Sequence, residues 1–245
     1  MTTAPIRVGH IDLGFHAAAA REVERALEAH GHAVARSAAP HEEMFARLGR
    51  GEVDLMVSAW LPSSHQVYFD PIADQLRRLG VLYDPCCIWG VTEAVPEAEV
   101  ASVADLLREP ALSRMERLIQ GINPGAGISR FSRAIVERYG LAAAGYRFET
   151  GTEADCFDRF ERAQAEGRWI VVPLWHPHYL HARHRIRALE EPHGLLGGAD
   201  EATLVVRRDA EARLGAATLD ALSRLRLGNA RVSELDDARR RGVSL

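Results

Sequence analysis

The sequence predicts an α/β protein built as two interrupted lobes joined by two extended crossings, a hinged clamshell. Short apolar runs that read as buried parallel strands alternate with Ala/Arg/Glu-rich stretches that read as amphipathic helices. That series occurs twice along the chain, each time followed by a proline-bounded extended segment. With 245 residues and 47% hydrophobic side chains, the chain can bury one large core or two modest ones. The expected lobes are residues 1–92 with 187–245, and residues 93–186.

The elements follow in order. "IRVGHID" reads as a strand, then a helix spans 17–29, with Val23, Ala26 and Leu27 on one face and a stop at Gly31. "HAVARSA" is a second strand, 42–48 a helix, and "VDLMVSAW" a central strand whose unbroken apolar run suits cover on both faces. A helix is expected over 71–79. "VLYDPCCIWGVTEAVP" then makes the first crossing. The second series is a helix near 103–107, strand "RLIQGI", loop "NPGAG", helix 129–139, strand "YRFET", helix 154–166 and strand "WIVVPLW". "RIRALEEP" is the return crossing, "EATLVVRRD" a strand of the first lobe, and the tail from Ala210 is helical and charged.

Bulk properties exclude several classes. A formal net charge of -4, with arginines interspersed among acids, offers no field for a polyanion, so nucleic acid is not an expected partner. The three cysteines, Cys86, Cys87 and Cys156, form no disulfide framework. The opening "MTTAPIRVGHID" enters a strand at once, without a basic n-region, an apolar h-region or a lipidation motif, so the chain as written is expected in the cytoplasm. No cofactor is expected, and the chain is expected to be a monomer.

In sheets of this kind ligands bind beyond the carboxyl ends of strands, and three segments put unusual residues there. "VSAWLPSSH" ends a strand on Trp60, breaks at Pro62 and brings in His65. "GINPGAGIS" leaves a strand through glycines and enters a helix, so the free N–H groups of Gly127 and Ile128 can hold a carboxylate or phosphate. A purely structural turn is the other reading of that loop. "PLWHPHYL" repeats the aromatic, Pro and His pattern around Trp175. A quaternary ammonium between two indoles gains roughly 0.5 to 2 kcal/mol per ring, and with its carboxylate on the amides the ligand would be a small zwitterion. Alternatively, both tryptophans are core residues at sheet edges. His65 could donate to a ligand carboxylate or cap its loop. The run His176, His178, His181, His184 matches no common zinc motif, so no metal is expected.

Together "SAWLPSSH", "GINPGAGIS", "YGL", "VVPLWHPHYL" and "LEEPHGLLGGADEATLVVRR" resemble the substrate-binding proteins of glycine betaine/choline/carnitine ABC importers. That resemblance implies a type II periplasmic-binding-protein clamshell, no catalysis, a quaternary-ammonium or zwitterionic ligand, and ABC permease and ATPase subunits as partners. It implies cage roles for Trp60 and Trp175, a carboxylate contact for His65, and amide contacts for Gly127 and Ile128. The family works in the periplasm or at the membrane. Its third cage aromatic is missing here, since the matching positions hold Leu13 and Ala126. Phe15, His16 or Tyr179 must turn inward to replace it, or affinity for a trimethylammonium falls on the order of tenfold. Of these, Phe15 and Tyr179 are taken as ligand-binding candidates. The competing reading is a cytoplasmic enzyme or metabolite sensor that reuses this fold.

Overall fold

The computed structural model describes residues 4–243. Its strands are β1 (Ile6–Ile11), β2 (Val34–Ala39), β3 (Leu55–Leu61), β4 (Leu76–Val81), β5 (Cys86–Val91), β6 (Leu118–Gln120), β7 (Arg147–Glu149), β8 (Val171–His176), β9 (Arg187–Ala188) and β10 (Glu201–Arg207). The chain divides into two compact units. The first runs to Pro85 and adds Pro177–Ala182 and everything from Ala199; the second is Cys86–His176 with Arg183–Gly198. These bounds differ from the expected lobes at both crossings, because β5 and β9 pair with each other inside the second unit. Pro177–Ala182, expected in the second lobe, is part of the first unit.

The first unit holds a five-stranded sheet in the order β2-β1-β3-β10-β4. β1 runs parallel to β2 and β3, whereas β10 is antiparallel to β3 and β4. The expectation of parallel strands therefore fails for β10. All seven residues of β3 are buried, as its apolar run required. The helix Gly14–Ala29 lays Phe15, Ala19, Val23 and Leu27 on the core at four-residue spacing and starts three residues earlier than expected. Its neighbour His41–Gly49 closes on β1 so tightly that a Cβ on Gly9 would meet Met44 Sδ at 2.5 Å, which is why that strand position is glycine.

The helix expected over 71–79 does not form. A 3-10 turn, Asp70–Gln75, leads into β4 instead. Ile72, Leu76 and Leu79 imitate a helical face, but the open edge of β10 provides pairing for this backbone, and tertiary pairing overrides the local pattern. Gly80 lets the strand pass close to the helix Glu211–Arg224: a Cβ there would lie 2.4 Å from the Ser223 carbonyl oxygen.

One irregularity positions the site. Thr203 pairs with Ala59 and Val205 with Met56, so Val57 and Ser58 together oppose Leu204 in a β-bulge. Ser58 takes φ +67°, the one non-glycine positive φ among the described residues. A left-handed serine costs of order 1 kcal/mol and persists where its surroundings hold it.

The second unit carries a three-stranded antiparallel sheet, β8-β5-β9, and a parallel pair, β6-β7. Helices Gly127–Arg138 and Glu153–Glu166 pack on them. The latter starts with a capping box in which Thr152 accepts the Asp155 N–H at 3.1 Å and the Asp155 carboxylate accepts the Thr152 N–H at 2.8 Å. Trp89, Phe157, Phe160 and Leu174 fill the core, with the Trp89 indole donating to Ser132 Oγ at 2.9 Å.

Candidate functional site

In the first unit the site is assembled at the C-terminal end of β3. Trp60 is 5% exposed and is surrounded by rings. Phe15 lies 5.4 Å from it, His16 5.8 Å, and His65 stacks at 6.0 Å with 20° between planes. His41 and Phe45 back His65 edge-on at 5.3 and 5.7 Å. The Trp60 indole N–H points to Ser58 Oγ and Tyr83 OH, both at 3.3 Å, and those two hydroxyls bond each other. The bulge at Ser58 thus has a purpose: it turns the serine hydroxyl onto the indole edge and fixes the ring's tilt.

His65 is oriented by the backbone of the tryptophan. After the cis Leu61–Pro62 peptide the chain folds back, so that the His65 N–H donates to the Trp60 carbonyl and the Trp60 N–H donates to His65 Nδ1, each at 2.8 Å. A main-chain N–H can only donate, so Nδ1 is the acceptor and the neutral ring carries its proton on Nε2. That is the tautomer a carboxylate-binding histidine needs. The loop is anchored by Asp200, whose carboxylate accepts the Ser63 N–H at 2.5 Å, the Ser64 N–H at 3.0 Å and the Ser64 hydroxyl at 2.6 Å. Neither Asp200 nor Ser58 nor Tyr83 carries a local sequence signature, and all three become visible only through sheet pairing.

Tyr179 belongs to this unit too, on the short segment Pro177–Ala182. Its N–H donates to the buried Asp236 at 3.1 Å, and the Arg240 guanidinium lies over its ring at 3.9 Å. One face of that ring already carries a cation. His178 and His181 sit in the same segment with ring centres 4.4 Å apart, while His176 and His184 belong to the second unit, so the four-histidine run is divided. Among the described residues no group of three His, Cys, Asp or Glu could hold a metal.

In the second unit Gly127 and Ile128 open the helix Gly127–Arg138 behind Ala126, which offers no side-chain cap. The loop is braced by the Ser129 hydroxyl on the Ile122 carbonyl at 3.2 Å and by Arg130 on the Gly125 carbonyl at 2.6 Å. A helix start that is uncapped and rigid is suited to an anion. Trp175, on β8, is 2% exposed and packs on Phe157 at 5.2 Å.

Burial holds His16 neutral, its pKa well below the ordinary value and pushed further by the nearby His41 and His10; burial lowers His10 as well. Unfolding returns both rings to water, where they gain a proton near pH 6.5. The unfolded chain therefore binds more protons below that pH. Stability is fully present above about pH 6.5 and falls on acidification toward the folded pKa values, by at most about 1.4 kcal/mol per pH unit per histidine. Urea midpoints at pH 7.5, 6.5 and 5.5 should decrease in that order, and an unchanged midpoint would contradict the buried neutral pair.

A family model for the substrate-binding domain of the ABC-type glycine betaine transport system matches residues 4–241. The chain belongs to that family. It is a family of transport substrate-binding domains rather than an enzyme family. A glycine betaine/carnitine transport binding protein of Listeria monocytogenes is 28% identical over 90 residues, which span 37% of this chain and 30% of the relative's length. The lactococcal protein crystallised closed with glycine betaine superposes with TM-score 0.86 at 19% identity, over 99% of this chain and 92% of that one. The glycine betaine/L-proline-binding protein of Borrelia burgdorferi gives 0.83 at 22%, over 98% and 88%. The family's fold, that of the type II periplasmic binding proteins, is the fold of this chain. The competing enzyme or sensor reading is not favoured: Cys156 is fully buried with its thiol pushed up, and the histidine run is split. Among the described residues no helix is long and apolar enough to cross a membrane.

Proposed function

We propose that this chain is the solute receptor of an ABC importer and binds a small zwitterionic or quaternary-ammonium solute of the glycine betaine kind. The carrying observation is the ring cluster of the first unit, where Trp60 is flanked by Phe15 and His16 and held beside His65, whose Nε2 is the donor. An indole face attracts a methylated cation and excludes water from it. His65 takes a ligand carboxylate in the first unit; in the second unit the Gly127 and Ile128 amides are suited to an anion and Trp175 to a methylated head. Phe15 replaces one missing cage wall; Tyr179 serves the site through its segment rather than its covered ring.

The reading is supported by the relatives named for glycine betaine and carnitine binding. Its partners would be the ABC permease and ATPase subunits, and the chain would carry out no chemistry on its solute. Calorimetric titration with methylated zwitterions and cations (glycine betaine, dimethylglycine, choline, carnitine and dimethylsulfoniopropionate) tests it. At least one should bind with a Kd well below millimolar; a panel with no such binder removes this reading.

A further inference from the structure

We infer that His16 sets the receptor's preference within this ligand class: its imidazole places a hydrogen-bond acceptor beside the Trp60 ring and selects an ammonium head that keeps an N–H over a fully methylated one. The inference rests on the site proposed above and deepens it. His16 is 1% exposed, and its Nδ1, sealed from solvent, has no hydrogen-bond partner among the described residues. Buried polar atoms are normally paired, and one left unpaired at a ligand site marks a bond that the ligand completes.

The ring's surroundings narrow what that ligand group is. Phe15 at 4.3 Å, Trp60 at 5.8 Å and His65 at 6.3 Å present aromatic faces and one imidazole whose Nδ1 already accepts from the main chain. Burial and the neighbouring imidazoles keep His16 neutral, so in the tautomer protonated on Nε2 its Nδ1 offers a lone pair to a cation without repelling it. A trimethylammonium presents only C–H groups and leaves Nδ1 unpaired. A dimethylammonium keeps two methyls for the indole and turns one N–H to the imidazole.

The test is a competition series at constant carboxylate: glycine and its mono-, di- and trimethyl derivatives titrated into the wild type, His16→Phe and His16→Gln. Because the carboxylate never changes, any trend with methyl number reports on the head alone. In the wild type the dimethyl compound should bind about tenfold or more tighter than the trimethyl one, the scale of one buried polar group left unpaired. His16→Phe, which restores an all-carbon wall, should reverse the order; His16→Gln, which keeps an acceptor, should preserve it. The wild-type ratio decides even where a variant fails to fold. Trimethylglycine binding as tightly as the dimethyl compound overturns this inference and leaves the receptor reading intact. If no member of the series and none of the wider panel binds, both fall.

Discussion

Trp60→Ala should weaken ligand binding by about 30-fold or more, the effect expected of an aromatic anchor at the centre of a site. It should also lower stability by about 3–5 kcal/mol, the usual cost of emptying a buried aromatic position. The two effects have separable causes. Binding is lost because the electron-rich face that meets the cation is gone, together with the surface that keeps water off it. Stability is lost because Phe15, His16 and His65 all rest against the ring, and Ser58 and Tyr83 lose the indole N–H between them. Trp60→Phe separates them. It keeps a π face and should retain most of the affinity, while giving up the hydrogen bond for about 1 kcal/mol. Titration calorimetry and urea unfolding on the same preparations read both; undiminished affinity in Trp60→Ala would remove the tryptophan from the site.

The second large effect is expected at Asp200, which touches no ligand in the proposed site. Its carboxylate takes three hydrogen bonds from Ser63 and Ser64 while 4% exposed. Asp200→Ala removes three hydrogen bonds from the loop that follows Pro62 and should cost about 3 kcal/mol. It should also weaken binding by about tenfold, because the His65 ring is aimed only as long as its loop folds back on Trp60. Asp200→Asn is the sharper variant: the amide oxygen can serve one serine, but its NH2 group then faces another donor, so most of the loss should persist. If Asp200→Ala bound ligand like the wild type, His65 would not depend on this loop for its aim.

How much of this could be read from the chain follows from the range of the interactions. Trp60, the glycine loop and Trp175 announce themselves locally, since an aromatic or a glycine at a strand end is visible within nine residues. The clamp of Trp60 by Ser58 and Tyr83 spans 23 to 25 positions, and Asp200 reaches its serines from more than 130 positions away. Such pairings exist only once β3, β4 and β10 are laid side by side. The same cause misassigned 71–79 as a helix: Ile72, Leu76 and Leu79 carry helical spacing, and only the vacant edge of β10 makes them a strand. Tyr179 was misplaced because a buried carboxylate near the C-terminus, Asp236, draws its segment into the first unit.

The bulge in β3 also bears on how this receptor can change over evolutionary time. In a strand, the count of residues decides on which face each side chain emerges. The extra residue at Val57 and Ser58 is absorbed between two regular pairs, Thr203 with Ala59 and Val205 with Met56, and deleting either one would remove the turn that brings the Ser58 hydroxyl onto the indole edge while the flanking pairs could still form. Length change in β3 would thus free the indole edge from its serine in a single step. Single substitutions at Phe15 and His16 leave the length of that strand untouched and change the rings packed beside Trp60. A preference set by His16, as inferred above, would therefore drift through the first turn of one helix without any change in strand length.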